Sequence, residues 1–184
     1  MRQTHFTQML VGMLVLTAGL SSCSSSFEFP SGATLSLPPD KAPSSTVSQN
    51  SNPGQFATLE QSVYQQVNQY RQSRNLPPLK LDARISEQAR LHSQDMARGR
   101  VPFSHQGFEG RVKAIAKFIS YRRAGENVAY NQGFSNPGQQ AVEGWIKSSG
   151  HRENMEGNFD LTGIGVAKNA RGEYYFTQIF IKRG

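Results

Sequence analysis

The last apolar stretch of the chain, EYYFTQIFIK (173–182), constrains the fold more than any other feature. Aromatic and β-branched residues favour strands, and here they occupy both alternating sets of positions. A strand that is apolar on both faces is typical of the middle of a sheet covered on both sides. This stretch therefore predicts a sheet with helices on each face.

Two further strands and four helices complete the predicted domain. LTGIGVAKN (161–169) is joined to the last strand by the turn NARG, and AGENVAYN (124–131) has a short apolar pattern typical of a third strand. Apolar residues at helical spacing predict the helices, and these lie at about 57–73, at about 83–99, around Phe108 to Ile119, and in NPGQQAVEGWIKSS (136–149). Four helices and about three antiparallel strands indicate an α+β fold, a three-layer α-β-α sandwich.

Several residues have predicted structural roles within these helices. Asp82 is expected to cap the second helix and Gly99 to close it. His92 lies on the apolar stripe of that helix, where a core histidine is favoured over a ligand. Trp145 is expected to point inward as a core anchor, and Gly150 to end the fourth helix.

The start of the chain resembles an export signal. Arg2 precedes an apolar run from Met9 to Leu20, which is too short for a membrane-spanning helix of roughly 20 residues. LSSC (20–23) resembles the lipobox of bacterial lipoproteins, which implies cleavage after residue 22, lipidation of Cys23 and attachment to a membrane. The alternative is an ordinary secretory signal with a chance cysteine. Ser24 resembles the pattern that favours the outer membrane, facing either the periplasm or the surface.

The chain then divides into a tether and a domain. Residues 23–56 are rich in Ser, Pro, Asn and Gly, which predicts a flexible segment. Residues 57–184 have the length of one ordinary domain. Because Cys23 is the only cysteine, no disulfide can form within the chain, and the domain is expected to depend on a packed core.

The net charge of +7 belongs to this domain, since residues 1–56 contain as many acidic as basic residues. An exported basic domain is attracted to lipids with anionic headgroups or to anionic envelope polymers, although an ordinary solvated surface is the simpler interpretation. Nucleic acid is not expected as a partner, because no nucleic-acid-binding motif is present and the signal indicates export.

Standard catalytic motifs are missing from the sequence. HRENM (151–155) lacks the second histidine of a zincin helix, since that position is Met155. Three residues remain as candidates, His105, Glu126 and His151, each beside a glycine or a loop. Two imidazoles and a carboxylate can form a Zn²⁺ site with an open position for water. Separations of 21 and 25 residues do not establish that the three side chains converge.

Five segments in order, FSHQGF, AGENVAY, AVEGWIKSSGHRENM, TGIGVA and YYFTQIF, closely resemble the bacterial branch of the CAP superfamily, whose module is also named the SCP domain. The superfamily comprises cysteine-rich secretory proteins, antigen 5 and pathogenesis-related proteins. The resemblance implies an α-β-α sandwich with a central cavity of two histidines and two acids, in which some members bind a divalent metal.

By motif, the cavity histidines are His105 and His151, and the first acid is Glu126. The position of the second acid is Ser148, a neutral residue that should weaken the binding of a divalent cation. Glu143 lies on a different face of the helix and does not replace it. Zn²⁺ held by the two histidines, with Glu126 as ligand or orienting acceptor, remains an expectation.

Three functions remain open at this stage. The favoured one is an anchored binding module of the cell envelope, whose cavity and adjoining groove hold a metal or a small apolar ligand. A groove lined by Phe103, Phe108, Tyr130 and Trp145 is one version, although aromatics at helical spacing are more often core residues. The alternatives are a metal-assisted hydrolase of peptides or esters, with Glu126 activating water or His151 acting as a general base, and a basic cell-wall adhesin. The oligomeric state is left open.

Overall fold

The computed structural model describes residues 56–184, so the predicted signal segment, Cys23 and almost all of the predicted tether lie outside the described residues. The helices are α1 Ala57–Ser73, α2 Ala83–Ala97, α3 Phe108–Ala116, α4 Pro137–Lys147 and α5 Ser149–Glu156. The strands are β1 Lys80–Leu81, β2 Tyr121–Asn131, β3 Leu161–Lys168 and β4 Tyr174–Arg183. From α1 to β4, no helix is long and apolar enough to cross a membrane.

Strand β4 lies inside the sheet, as its two apolar faces predict. The strand order is β1-β3-β4-β2, in which β4 is antiparallel to both β3 and β2, while the short β1 is parallel to β3. Phe176 and Phe180 project to one face of β4, and Ile179 and Ile181 to the other, and all four are fully buried. The prediction for this strand is confirmed.

Two separate cores cover the two faces of the sheet. Helices α1, α4 and α5 pack on one face, where Trp145 and Met155 meet Phe176 and Phe180. Helices α2 and α3 pack on the opposite face against Ile179 and Ile181. The predicted three-layer α-β-α sandwich is confirmed, with one more helix and one more, very short, strand than the sequence indicated.

Two glycines of β3 allow α2 to lie directly on the sheet. A Cβ atom on Gly163 would collide with the backbone of Ser86, and one on Gly165 with the backbone of Arg90. Because a helix backbone cannot move aside as a side chain can, these positions require glycine. The segment TGIGVA is therefore a packing motif of the fold.

The end of α4 differs from the prediction that Gly150 terminates it. The break occurs at Ser148, whose backbone is extended (φ −89°, ψ 122°), and α5 begins at the next residue. Gly150 lies in the first turn of α5, so His151 is on a helix and not in a loop. The prediction was wrong because no Pro or Gly marks the break.

Other boundaries follow local chemistry more closely. Asp82 caps α2 by accepting from the backbone N–H groups of Arg84 and Ile85, and Gly99 follows the helix with φ +67°, both as predicted. Helix α3 ends at Ala116, and Ile119 is buried in the turn beyond it. This turn leads into β2, which begins three residues earlier than predicted.

Candidate functional site

A buried carboxylate on β2 holds a histidine from the loop after α2. The side chain of Glu126 is 1% exposed, and its Oε1 lies 3.0 Å from Nδ1 of His105. A carboxylate only accepts hydrogen bonds, so Nδ1 donates. In the neutral imidazole, Nε2 then carries the free lone pair. His105 itself is half exposed and can meet a ligand.

Arg111 completes this arrangement, and the sequence reasoning missed it. Its Nε donates to Oε2 of Glu126 and its Nη2 to Oε1, each at 2.8 Å. A planar guanidinium binding both carboxylate oxygens is a strong, geometrically specific ion pair. The signal available was position: residue 111 is three after Phe108 and four before Ile115, beside the inward stripe of α3.

The second histidine lies next to the first. The ring centroids of His105 and His151 are 6.2 Å apart, with 44° between the ring planes. Partial burial lowers the pKa of His151, and the charge of a protonated His105 lowers it further. His151 is therefore held in the neutral form over a wider pH range than a free histidine. The structure brings together the predicted His105, Glu126 and His151.

Two asparagines fasten the His151 helix to β2. The side chain of Asn127 donates to the backbone oxygen of His151 at 3.0 Å. Asn154 donates to the side chain of Asn127 at 2.9 Å and to the backbone oxygen of Glu126 at 3.1 Å. These bonds fix the position of His151 relative to the acid, and neither asparagine was predicted to matter.

Gly125 makes room for this network. A Cβ atom at this position would lie 2.7 Å from Oδ1 of Asn154 and 3.2 Å from the ring of Phe159. Asn154 and Phe159 can approach the backbone this closely because residue 125 has no side chain. The G-E-N and H-R-x-N segments are therefore two halves of one contact between β2 and α5.

His92 is bonded to the loop that carries His105. It is 4% exposed, and its Nε2 lies 2.8 Å from the backbone oxygen of Ser104, the residue before His105. Burial lowers its pKa, which keeps the ring neutral. The predicted core role of this histidine is confirmed, and the contact also positions the loop that carries His105.

A groove of about 570 Å³ opens beside His151. That volume is within the range of small-molecule pockets, about 300–1,000 Å³. Its walls come from the end of β2, from α4 and from Phe103, and they include Tyr130, Phe134, Trp145, Ser148 and His151.

Three of the four aromatics predicted to line a groove do so. Phe103 and Tyr130 are half exposed, with ring centroids 6.1 Å apart. Trp145 is both a wall residue and the predicted core anchor, since it is 1% exposed and its Nε1 donates to the backbone oxygen of Val128 at 3.0 Å. Phe108 is not a wall residue, because this first residue of α3 packs against the core between α3 and the sheet.

Ser148 leaves the site without a second acid. It lies at the junction of α4 and α5, where it lines the groove. Glu143 does not take its place, since its carboxylate accepts from Gln139 at 2.8 Å. Within residues 56–184, no group of three or more His, Cys, Asp or Glu side chains is arranged to hold a metal ion.

The donor set therefore fits a metal only in a limited way. His105 and His151 offer two imidazole nitrogens, and Glu126 orients the first as carboxylates commonly orient metal-binding histidines. Because Arg111 occupies both oxygens of Glu126, the carboxylate is already neutralised and engaged. A divalent ion here would need a ligand or solvent to complete its coordination.

Comparisons with known proteins agree with this structure. A model of the cysteine-rich secretory protein family, CAP, matches residues 64–180. YkwD of Bacillus subtilis (strain 168), described as uncharacterized, is 34% identical over 148 residues, covering 77% of this chain and 55% of its own length. The chain thus spans about half of that relative.

Two solved structures have the same fold. An outer surface protein of Borrelia burgdorferi has a TM-score of 0.60 and 20% identity, covering 70% of this chain and 96% of its own. An extracellular protein of Bacillus anthracis that contains an SCP domain has a TM-score of 0.58 and 31% identity, covering 69% of this chain and 41% of its own. The fold, the ordered motifs and the family match lead to one conclusion: this chain belongs to the cysteine-rich secretory protein (CAP) family.

Proposed function

We propose that this protein is an exported binding protein of the bacterial cell envelope, which holds a small ligand in the groove beside His151. The observation that carries the proposal is that the groove and the pair of histidines adjoin each other. His151 lines the aromatic groove, and its ring lies 6.2 Å from that of His105. An apolar cleft that leads to a pair of imidazoles suits a ligand with two different ends.

The walls indicate the chemistry of that ligand. Aromatic rings from Phe103, Tyr130, Phe134 and Trp145 favour an apolar body. The imidazoles of His105 and His151 donate or accept hydrogen bonds and favour a polar or metal-binding head. We therefore assign a small amphipathic molecule, with its apolar part between the aromatic rings and its head at the histidines.

A divalent metal is a second occupant that we propose for the histidine pair. His105 and His151 would be its protein ligands, with Glu126 orienting His105 and a ligand head or solvent completing the coordination. When bound, such an ion would attract an anionic or chelating ligand head.

A hydrolase is the less favoured function. In one version Glu126 activates water, but both oxygens of this carboxylate accept hydrogen bonds from Arg111. The role supported for Glu126 is to orient His105. Ser148 supplies a hydroxyl where an acid would be needed, which also argues against a hydrolase.

Export and anchoring are also proposed. The relatives of solved structure are named as extracellular and outer surface proteins, and LSSC followed by Ser24 supports lipidation at Cys23 and the outer membrane. A lipid at Cys23 would hold the domain, and with it the binding groove, at a membrane.

The test has two parts: identification of the molecules that co-purify with the protein, and a variant in which a larger side chain fills the groove. Mass spectrometry of the native protein extracted from its own membrane would identify a co-purifying small molecule. Decanoate, an apolar chain with one carboxylate, serves as the probe in solution. Trp145 is the only tryptophan in the chain and lies in the groove wall, so its fluorescence reports binding directly.

Gly144 provides the blocking variant. It lies on α4 in the groove wall, and a Cβ atom there meets nothing within 4 Å. Gly144→Leu should fold normally, fill the groove and abolish the response of Trp145 to decanoate. Gly110→Leu is the matched control, because Gly110 is also helical with open space around it but lies away from the groove. An equal response in both variants would contradict the proposal.

A further inference from the structure

One end of the sheet carries a surface that the groove does not use. It lies where β2 begins and β4 ends, and we name it the basic corner. Its members are the exposed or partly exposed side chains of Lys117, Phe118, Tyr121, Arg122, Arg123, Lys182 and Arg183.

Strand pairing holds these residues together. Tyr121 pairs with Arg183 and Arg123 with Lys182, and a bulge between the two pairs displaces Arg122. The backbone N–H of Gly184 donates to the oxygen of Ser120 at 3.1 Å, which fastens the turn after α3 to the end of the chain. The basic corner is therefore a defined surface and not a set of unrelated loops.

The corner has an excess of positive charge. Its five cations are opposed by Asp160, which binds Arg183 with 2.9 Å between Nε and Oδ2. Arg123 lies over the ring of Phe159, 4.9 Å from its centroid. Among residues 56–184, Lys117 and Arg122 form no ion pair. The sequence from 110 to 125 contains no acid at all. Four net charges of the domain's +7 thus lie on this one surface.

Two aromatic rings project from the same surface. Phe118 is 65% exposed and Tyr121 39%, which makes Phe118 the most exposed large apolar side chain of the described residues. An exposed phenylalanine adds nothing to the core. Aromatic rings beside Lys and Arg are typical of protein surfaces that lie at the boundary between water and lipid.

We propose that the basic corner docks on an anionic lipid bilayer, with Phe118 entering the interface and the surrounding cations contacting lipid headgroups. A soluble anionic polymer would pair with the cations but would not require the exposed rings. A bilayer accounts for both the cations and the rings. The inference is independent of the ligand groove and of metal binding.

Docking would orient the groove. The groove is lined by the far end of β2, from Val128 to Asn131, about 23–33 Å along the strand from Tyr121. A domain docked by the basic corner therefore presents its groove away from the bilayer. The chain from Cys23 to Phe56 can reach about 120 Å at most, so a lipid at Cys23 is compatible with this orientation.

The test uses the chain from residue 23 with Cys23→Ser, which removes the signal segment and the lipid but none of the described residues. Co-sedimentation is measured with vesicles of equimolar phosphatidylglycerol and phosphatidylcholine, and with vesicles of phosphatidylcholine alone. We expect binding to the first and little to the second. Each cation near an anionic surface changes the partition coefficient by about fivefold.

Two pairs of variants identify the surface. Lys117→Gln/Arg122→Gln should lower the partition coefficient by about twentyfold, whereas Arg98→Gln/Lys147→Gln removes two exposed cations elsewhere and should change it less than threefold. Phe118→Ser should lower it by about tenfold, whereas Leu91→Ser, a change at an exposed leucine of α2, should leave it unchanged. Circular dichroism checks that every variant is folded.

Three outcomes would overturn the proposal. Equal losses in the two charge variants would mean that net charge alone drives binding. A loss in the charge variant with no loss in Phe118→Ser would mean that the cations bind an anionic surface without entry of the ring into the interface. Absence of binding by the folded, unsubstituted chain to the anionic vesicles would exclude a docking surface for bilayers.

Discussion

Arg111 binds the carboxylate of Glu126 through two hydrogen bonds of 2.8 Å, and the same carboxylate holds His105 at 3.0 Å. A buried charge is stable only when it is paired and hydrogen-bonded. Arg111 therefore allows an acid to be buried between the sheet and α3, and that acid in turn fixes the ring of His105.

The pairing predicts a large loss of stability on Arg111→Met. The variant leaves the Glu126 carboxylate buried without its cation, which should lower the free energy of unfolding by about 3–5 kcal/mol. Urea unfolding followed by Trp145 fluorescence measures the change. Adding Glu126→Gln should restore a substantial part of the loss, because the uncompensated charge is then removed. If the double variant is less stable than Arg111→Met, this account is wrong.

Gly125→Ala should disturb the contact between β2 and α5. The new methyl group would displace Asn154, whose amide bonds to Asn127 and to the Glu126 backbone would then weaken. We expect a loss of about 1–3 kcal/mol. Gly110→Ala is the control, since it meets open space on an exposed helix and should stabilise by up to about 1 kcal/mol. Equal effects of the two substitutions would contradict the predicted steric conflict.

Zinc should stabilise the folded protein if the histidine pair binds it. At a free concentration one hundred times the Kd, the gain is about 2.7 kcal/mol, measurable as a rise in Tm that a chelator reverses. His105→Ala and His151→Ala should each abolish the rise, and Glu143→Gln should retain it. No zinc in the gently purified protein by elemental analysis, together with no rise in Tm, would contradict a metal site.

Acid should destabilise the domain partly through His92. Burial lowers the pKa of this histidine in the folded state, while in the unfolded chain it is about 6.5. As the pH falls below about 6.5, the unfolded chain takes up a proton that the folded protein does not, so the free energy of unfolding decreases. His151 acts in the same direction.

The His92→Gln variant checks this linkage. It should be less stable than the parent protein at neutral pH, because the contact with Ser104 is disturbed, but its stability should fall less between about pH 7 and 5. Urea unfolding at several pH values gives both quantities. An unchanged pH dependence would show that His92 titrates alike in both states.

The sequence by itself was sufficient to predict the layered fold. The two apolar faces of β4 require covering on both sides, and helical periodicity supplies the covering elements. The ordered motifs around His105, Glu126 and His151 were sufficient to indicate the family. Local chemistry also predicted the caps and turns, as Asp82 and Gly99 illustrate, because the groups that satisfy a helix end are close in sequence.

Only the tertiary structure decided how the site is assembled. The sequence places Arg111 beside the inward stripe of α3, but its bond to Glu126 exists only because α3 packs against β2. No Pro or Gly stands at the break between α4 and α5 at Ser148. The break arises because the two helices pack separately against the sheet, so the sequence gives no local signal for it. The charges and rings of the basic corner are visible in the sequence, but strand pairing alone places Arg183 beside Tyr121. Each of these contacts joins residues distant along the chain, and chain order does not determine distance between them.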